Sequence, residues 1–243
     1  MMASTCTVTH RISPALVELR RAATLRMRVP LLFSGLVCAL DAAPAPVQIF
    51  TSYGVDPTSS LTLTWASQAA CAPVAEAGSS PSSLSSVACE VDAPFFFNNA
   101  GGVQFFYRAR LTNLPASSRV FYRVGCSDAT SETWSTIRSV SLVAPRGTPQ
   151  TILLLGDMGR DAGEQTLPAL IQEAQKSQTD QTPTFAIIAG DFGYDLHDFS
   201  GARGSAWMER VSNVTSFLPT MVTIGSSTMT KGKDLCTRRR LTF

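Results

Sequence analysis

Two apolar runs that each end in a Gly-Asp pair constrain this chain more than any other feature. The run Thr151 to Leu155 leads straight into Gly156-Asp157-Met158-Gly159, and Phe185 to Ala189 leads into Gly190-Asp191-Phe192-Gly193-Tyr194. Between them Leu167, Leu170, Ile171 and Ala174 recur at helical spacing. After the second run Trp207, Met208, Val211 and Val214 do the same, followed by the apolar stretch Met221 to Ile224. Short apolar runs alternating with helical periods predict a βαβαβ unit, its parallel strands buried on both faces. Right-handed crossovers set successive strands side by side, and functional groups gather at the carboxyl edge of such a sheet. Both Gly-Asp pairs fall at that edge.

One Gly-Asp after a strand means little, because aspartate often caps the next turn. Two on adjacent strands bring Asp157 and Asp191 together, and carboxylates crowded in a poor dielectric stay ionised only around a cation. Glycine before each lets the backbone turn sharply and come close to the ion. Tyr194 adds a phenol, which stays neutral near pH 7 unless a highly charged ion lowers its pKa. Three oxygen donors of this kind suit a hard trivalent metal. His197 and Asp198 follow at once, and their expected place is a solvated loop.

Upstream, from about Val47 to Val143, the rhythm is that of short strands. Leu61, Leu63 and Trp65 alternate with Thr62 and Thr64; Val103, Phe105, Tyr107, Ala109 and Leu111 share one face; Val120, Tyr122 and Val124 share another. Turn clusters separate them, among them Asp56 to Ser60, Ser79 to Ser86, and Leu114 to Ser118. This spacing predicts a β-sandwich of roughly a hundred residues. Arg146-Gly147-Thr148-Pro149 reads as the linker to the βαβαβ unit.

These residues resemble the purple acid phosphatases. Pro46-Val47-Gln48 to Trp65, and Tyr107 to Gly125, look like the fibronectin type III-like N-terminal domain of that family. Gly156-Asp157-Met158-Gly159 and Gly190 to Tyr194 look like its first two metal motifs, GDxG and GDxxY, within the wider metallophosphoesterases. The likeness runs from Pro46 to Gly225 and is most specific over Gly190 to Leu196. It implies a fibronectin type III-like sandwich over 44–146, then the N-terminal part of an α/β metallophosphoesterase domain over 150–225. It further implies Fe(3+) with a divalent partner (Zn, Mn or Fe), with binding by this chain expected to be impaired because the divalent site keeps only the bridging Asp191. By position Asp157 would ligate the ferric ion, Asp191 would bridge the two metals, and Tyr194 would be the ferric ligand that colours the family. Phosphate monoesters are the substrates so implied. Val120 stands where the family has the first of a run of tyrosines.

After the third strand the family continues into Gly-Asn-His-Glu, whereas this chain reads Gly225-Ser226-Ser227-Thr228. The basic tail 226–243 has no apolar period, and a frameshift or mis-spliced gene model would produce it. The expectation is a catalytic site incomplete after the second metal motif, with apolar sheet faces left uncovered. The alternative reading is a catalytically inactive secreted fragment that keeps only an interaction-type sandwich.

Charge and composition close off other classes. The formal charge of +2 is carried by the ends: Arg11, Arg20, Arg21, Arg26 and Arg28 in front, and Lys231, Lys233, Arg238, Arg239 and Arg240 behind. The body between is acidic, so a basic nucleic-acid surface is not expected. No run of some twenty apolar residues is present, so no membrane span is expected. Residues 1–43 read as a targeting segment. Arg28, the run Val29 to Leu40, and small residues at Ala42, Ala43 and Ala45 match a secretory signal that starts at Met27, with a mis-chosen initiator upstream. Organellar import is the rival. Asn213-Val214-Thr215 is an N-glycosylation acceptor, in line with secretion. Cys71 and Cys89 flank a Ser/Ala/Pro stretch that a disulfide could close, with Cys126 the third cysteine of the body. Oligomeric state is open.

Overall fold

Apolar alternation turns into paired sheets in the computed structural model, which describes residues 42–92, 95–96, 103–156, 158–159, 166–180, 183–190, 194 and 196–223. The targeting segment up to Asp41 and the tail from Ile224 lie outside the described residues. The chain first lays down β1 (Val47–Tyr53), β2 (Leu61–Ser67), β3 (Ala72–Ser80), β4 (Ser83–Ser86) and β5 (Cys89–Val91). It continues with β6 (Phe95–Phe96), β7 (Val103–Leu111), β8 (Arg119–Ser127), β9 (Glu132–Trp134) and β10 (Arg138–Ser141). One antiparallel sheet has the order β1-β2-β7-β5, with β6 also on β7; the other has the order β10-β8-β3-β4, with β9 also on β8.

The residues that alternate in sequence are the ones that meet between these sheets. Leu61, Leu63 and Trp65 from β2, Tyr107, Ala109 and Leu111 from β7, and Val120, Tyr122 and Val124 from β8 are buried in one cluster. Trp65 donates its indole N–H to the Gly125 carbonyl across the sandwich at 3.2 Å, which satisfies the one polar atom this large side chain carries inside. The sandwich also starts earlier than its sequence suggests. Ala43, assigned to the targeting segment, is buried, and its N–H and C=O are held by the Ser131 and Thr133 hydroxyls.

The expected Cys71–Cys89 bridge is not formed. Cys71 is joined to Cys126, with a Cα–Cα separation of 5.5 Å, and Cys89 keeps a free thiol. The Ser/Ala/Pro stretch between Cys71 and Cys89 is not a loop but the β3–β4 hairpin. Pairing of β3 with β8 sets Pro73 opposite Cys126, so Cys71 enters beside its partner. Cys89 belongs to the other sheet, opposite Ala109.

Beyond an exposed turn at Arg146–Gly147 come β11 (Ile152–Leu155), α1 (Leu167–Asp180), β12 (Phe185–Ala189), α2 (Ala202–Thr215) and β13 (Thr220–Thr223). The three strands are parallel, in the order β11-β12-β13. Leu167, Leu170 and Ala174 of α1 and Trp207, Val211 and Val214 of α2 pack with Ala186 and Ile188. Burial on both faces, expected from the apolar runs, fails on one face, where Leu154 is 64% exposed and Ile152 and Met221 are exposed with it, and on the helix-packed face it holds except at Val222 on the edge strand. The reason is topological. Successive right-handed crossovers stepping the same way across a sheet put both helices on the same side.

The helices also close the open edge of the sandwich. β1 and β10 end their sheets, and unpaired edges are a liability unless covered. Against β1, Thr51 donates to the Thr215 carbonyl at 2.7 Å and Thr215 donates to the Ile49 carbonyl at 3.0 Å. Against β10, the Gln178 side chain of α1 exchanges hydrogen bonds with both the N–H and the C=O of Ser139. Arg119 donates to the Ser177 carbonyl at 2.6 Å and to the Gln178 carbonyl, placing a cation on the orphan carbonyls of the last turn of α1. Tyr122 donates to the Ser216 carbonyl at 2.5 Å, and Tyr53 to the Ser141 and Thr184 carbonyls.

Burial raises the pKa of Tyr53 and of Tyr122, the latter opposed by nearby Arg138. A raised folded pKa contributes stability that is intact while unfolded tyrosine is still protonated. That contribution is lost as pH climbs past about 10. Denaturant unfolding is therefore expected to show stability level up to about pH 10 and falling above it, with a smaller fall in Tyr122→Phe. An equal fall in that variant would contradict this account.

Candidate metal centre

The in-register pairing of β11 with β12, Leu155 opposite Ile188, sends both Gly-Asp turns out of the same carboxyl edge on neighbouring strands. Asp157 and Asp191 themselves lie outside the described residues. The residues around them define the edge. Gly156 lies beside the Ala189 carbonyl, where a Cβ would stand 3.5 Å from that oxygen. Gly190 turns out of β12 with φ of 76°, a conformation that favours glycine over any residue bearing a Cβ. The ring of Tyr194 reaches back from the second turn to the first, so that a Cβ on Gly159 would stand 3.0 Å from it. Tyr194 is 47% exposed.

The first turn is also fixed from behind. Met158 is buried, and its carbonyl accepts the Trp207 indole N–H at 3.0 Å. Sequence reasoning assigned Trp207 to the helix core. It is core, and it also holds the residue next to Asp157. Helical periodicity marks the first role and carries no signal for the second. The loop after Tyr194 is tied down by the Gly204 N–H on the Leu196 carbonyl and by Arg203 on the Asp198 carboxylate at 3.1 Å. His197 is solvent-exposed, with Asp198 at 3.6 Å, in keeping with a solvated loop. Among the described residues, no three His, Cys, Asp or Glu side chains are grouped as a metal site.

The remaining site assignments fall elsewhere. Asn213 is exposed on α2, its amide bonded to the Arg210 carbonyl at 3.1 Å. The hydroxyl of Thr215, the third residue of that acceptor triplet, is buried against Ile49, so attachment of a glycan would have to precede folding. A groove of about 460 Å³ lies in the sandwich, lined by residues such as Ala77, Val87, Leu111 and Leu114, and among the described residues none from the α/β module lines it. No helix among the described residues is long and apolar enough to cross a membrane.

Residues 46–141 match the family model described as "Purple acid Phosphatase, N-terminal domain". Among solved structures, a purple acid phosphatase isolated from yellow lupin (Lupinus luteus) seeds matches with a TM-score of 0.61 and 18% identity. That match covers 75% of this chain and 35% of the lupin chain, so this chain spans about a third of the lupin protein's length. Astrotactin-2, a vertebrate-specific, perforin-like membrane protein, matches at a TM-score of 0.33 and 12% identity, over 58% of this chain and 27% of that one. No curated protein sequence matches the chain.

Proposed function

Residues 46–141 place this chain in the purple acid phosphatase family, and from that premise we propose that its α/β module is the iron-binding start of a metallophosphoesterase domain acting on phosphate monoesters. The observation that carries this reading is the pair of Gly-Asp turns leaving one sheet edge side by side, with the Tyr194 ring against Gly159. The donor set fits the group. Two carboxylates and a phenol offer hard oxygen ligands, and a methyl at position 159 would crowd the phenol. Asp157 and Asp191 would hold the ferric ion, Asp191 shared with a divalent partner (Zn, Mn or Fe), and Tyr194 would give up its phenolic proton to join them. When bound, such a pair of ions supplies a nucleophile from water at neutral pH and neutralises charge developing on the phosphoryl oxygens. Trp207, through the Met158 carbonyl, keeps the first turn in register with the second. A secreted location goes with this reading.

One observation favours a second reading. Ser226 and Ser227 stand where the family carries asparagine and histidine, which suits a non-catalytic relative that keeps the sandwich and the ferric half of the site. Turnover separates the two. Hydrolysis of an aryl phosphate by the chain loaded with iron and zinc, reduced to background in Asp191→Asn, supports the first reading. Iron-loaded protein that turns over nothing selects the second reading. Undiminished turnover in Asp191→Asn contradicts the placement of the site.

A further inference from the structure

The acceptor triplet Asn213-Val214-Thr215 is the one Asn-x-Ser/Thr sequence in the chain, and the last turn of α2 gives its three side chains different surroundings. Asn213 is exposed, its amide donating to the Arg210 carbonyl at 3.1 Å. Val214 is buried in the cluster that α1 and α2 form with the sheet. Thr215 is 1% exposed, and its hydroxyl donates to the Ile49 carbonyl of β1 at 3.0 Å. Residues two apart on a helix lie about 200° round its axis and do not face one another.

N-glycosylation needs both ends of such a triplet at once. The asparagine amide nitrogen attacks the anomeric carbon of an oligosaccharide linked to a lipid pyrophosphate. A C–N bond forms, the C–O bond to phosphate breaks, the lipid pyrophosphate leaves, and the amide proton passes to a base of the transferase. The hydroxyl of the third residue is the enzyme's other handle, which is why that residue is Ser or Thr. Once α2 has formed, Asn213 and Thr215 face apart, and the Thr215 hydroxyl is already engaged by Ile49. A glycan attached earlier meets no such obstacle, because Asn213 stays exposed.

We infer that Asn213 is an N-glycan attachment site open only until α2 docks on β1, so that its occupancy reports how fast the two modules close. Thr51 of β1 fastens the docked state, its hydroxyl donating to the Thr215 carbonyl at 2.7 Å. The sandwich precedes α2 in the chain, and N-terminal units fold first. β1 is then in place when the triplet emerges, and sugar transfer competes with docking. Occupancy in the cell rests on the secreted location proposed above; the acceptor itself is tested with isolated components.

The full chain, made without glycan, is given to purified oligosaccharyltransferase and a lipid-linked oligosaccharide, and transfer is followed by mass spectrometry. The chain reduced and unfolded is expected to take one oligosaccharide at Asn213. The native chain is expected to take it at least about tenfold more slowly, through local opening of α2. Thr51→Val, which deletes the donor to the Thr215 carbonyl, is expected to raise the native rate about fivefold, the equivalent of one hydrogen bond. Should Thr51→Val not fold, the native and unfolded wild-type chains decide alone. Equal rates for those two chains, no transfer to the unfolded chain, or an unchanged native rate in folded Thr51→Val overturns the inference.

Discussion

Expressed without the sandwich, residues 150–243 are expected not to melt cooperatively, while residues 44–146 are expected to fold on their own with a lower midpoint than the whole chain. The helices explain the first half of this result. On one side they cover Ala186 and Ile188 of the sheet. On the other they meet β1 and β10, where Thr51, Thr215 and Gln178 satisfy backbone groups across the seam. Removing the sandwich strips α1 of the Arg119 guanidinium on its last carbonyls and leaves the Ser216 carbonyl without Tyr122. It does so in a module whose opposite sheet face already exposes Ile152, Leu154 and Met221. The isolated module then has two uncovered faces and only three strands, which is too little core for independent stability. The sandwich keeps its own core and its disulfide, and loses only the cover on two edge strands. Far-UV circular dichroism against temperature checks both fragments. A cooperative transition in 150–243 would contradict the account.

Replacing Cys71 and Cys126 with serine removes about 4 kcal/mol of stability, from the loop-closure entropy of a bridge spanning 55 residues. Cys89→Ser costs far less, because that thiol is half-buried and its contact is a weak one to the Val87 carbonyl at 3.4 Å. Denaturant unfolding of both variants under non-reducing conditions tests the pairing. A loss of that size in Cys89→Ser, with the double variant near wild type, would restore the Cys71–Cys89 bridge.

How far the sequence can be read depends on how locally each feature is encoded. β2, β7 and β8 were legible because Leu61-x-Leu63-x-Trp65 and its counterparts alternate strictly, and alternation places side chains without knowledge of partners. β3 was not, since Ala72 to Ser80 is mostly small residues that read as a loop; the disulfide went wrong with it. The parallel strands were legible as strands, but an apolar run looks the same whether one face or both are covered. Strand order decides that, and order is a property of the whole sheet. At the candidate site the Gly-Asp pairs announce the edge. The contacts that shape it, Tyr194 on Gly159 and Trp207 on the Met158 carbonyl, join segments far apart in sequence and leave no periodic trace.

The central claim is that the two Gly-Asp turns and Tyr194 form an iron site, and the visible absorption spectrum of the purified chain loaded with Fe(3+) tests it most directly. The account predicts a tyrosinate-to-iron charge-transfer band in the wild type. In Tyr194→Phe it predicts loss of that band while iron remains bound. Colourless wild-type protein containing iron, or an unchanged band in Tyr194→Phe, would contradict it.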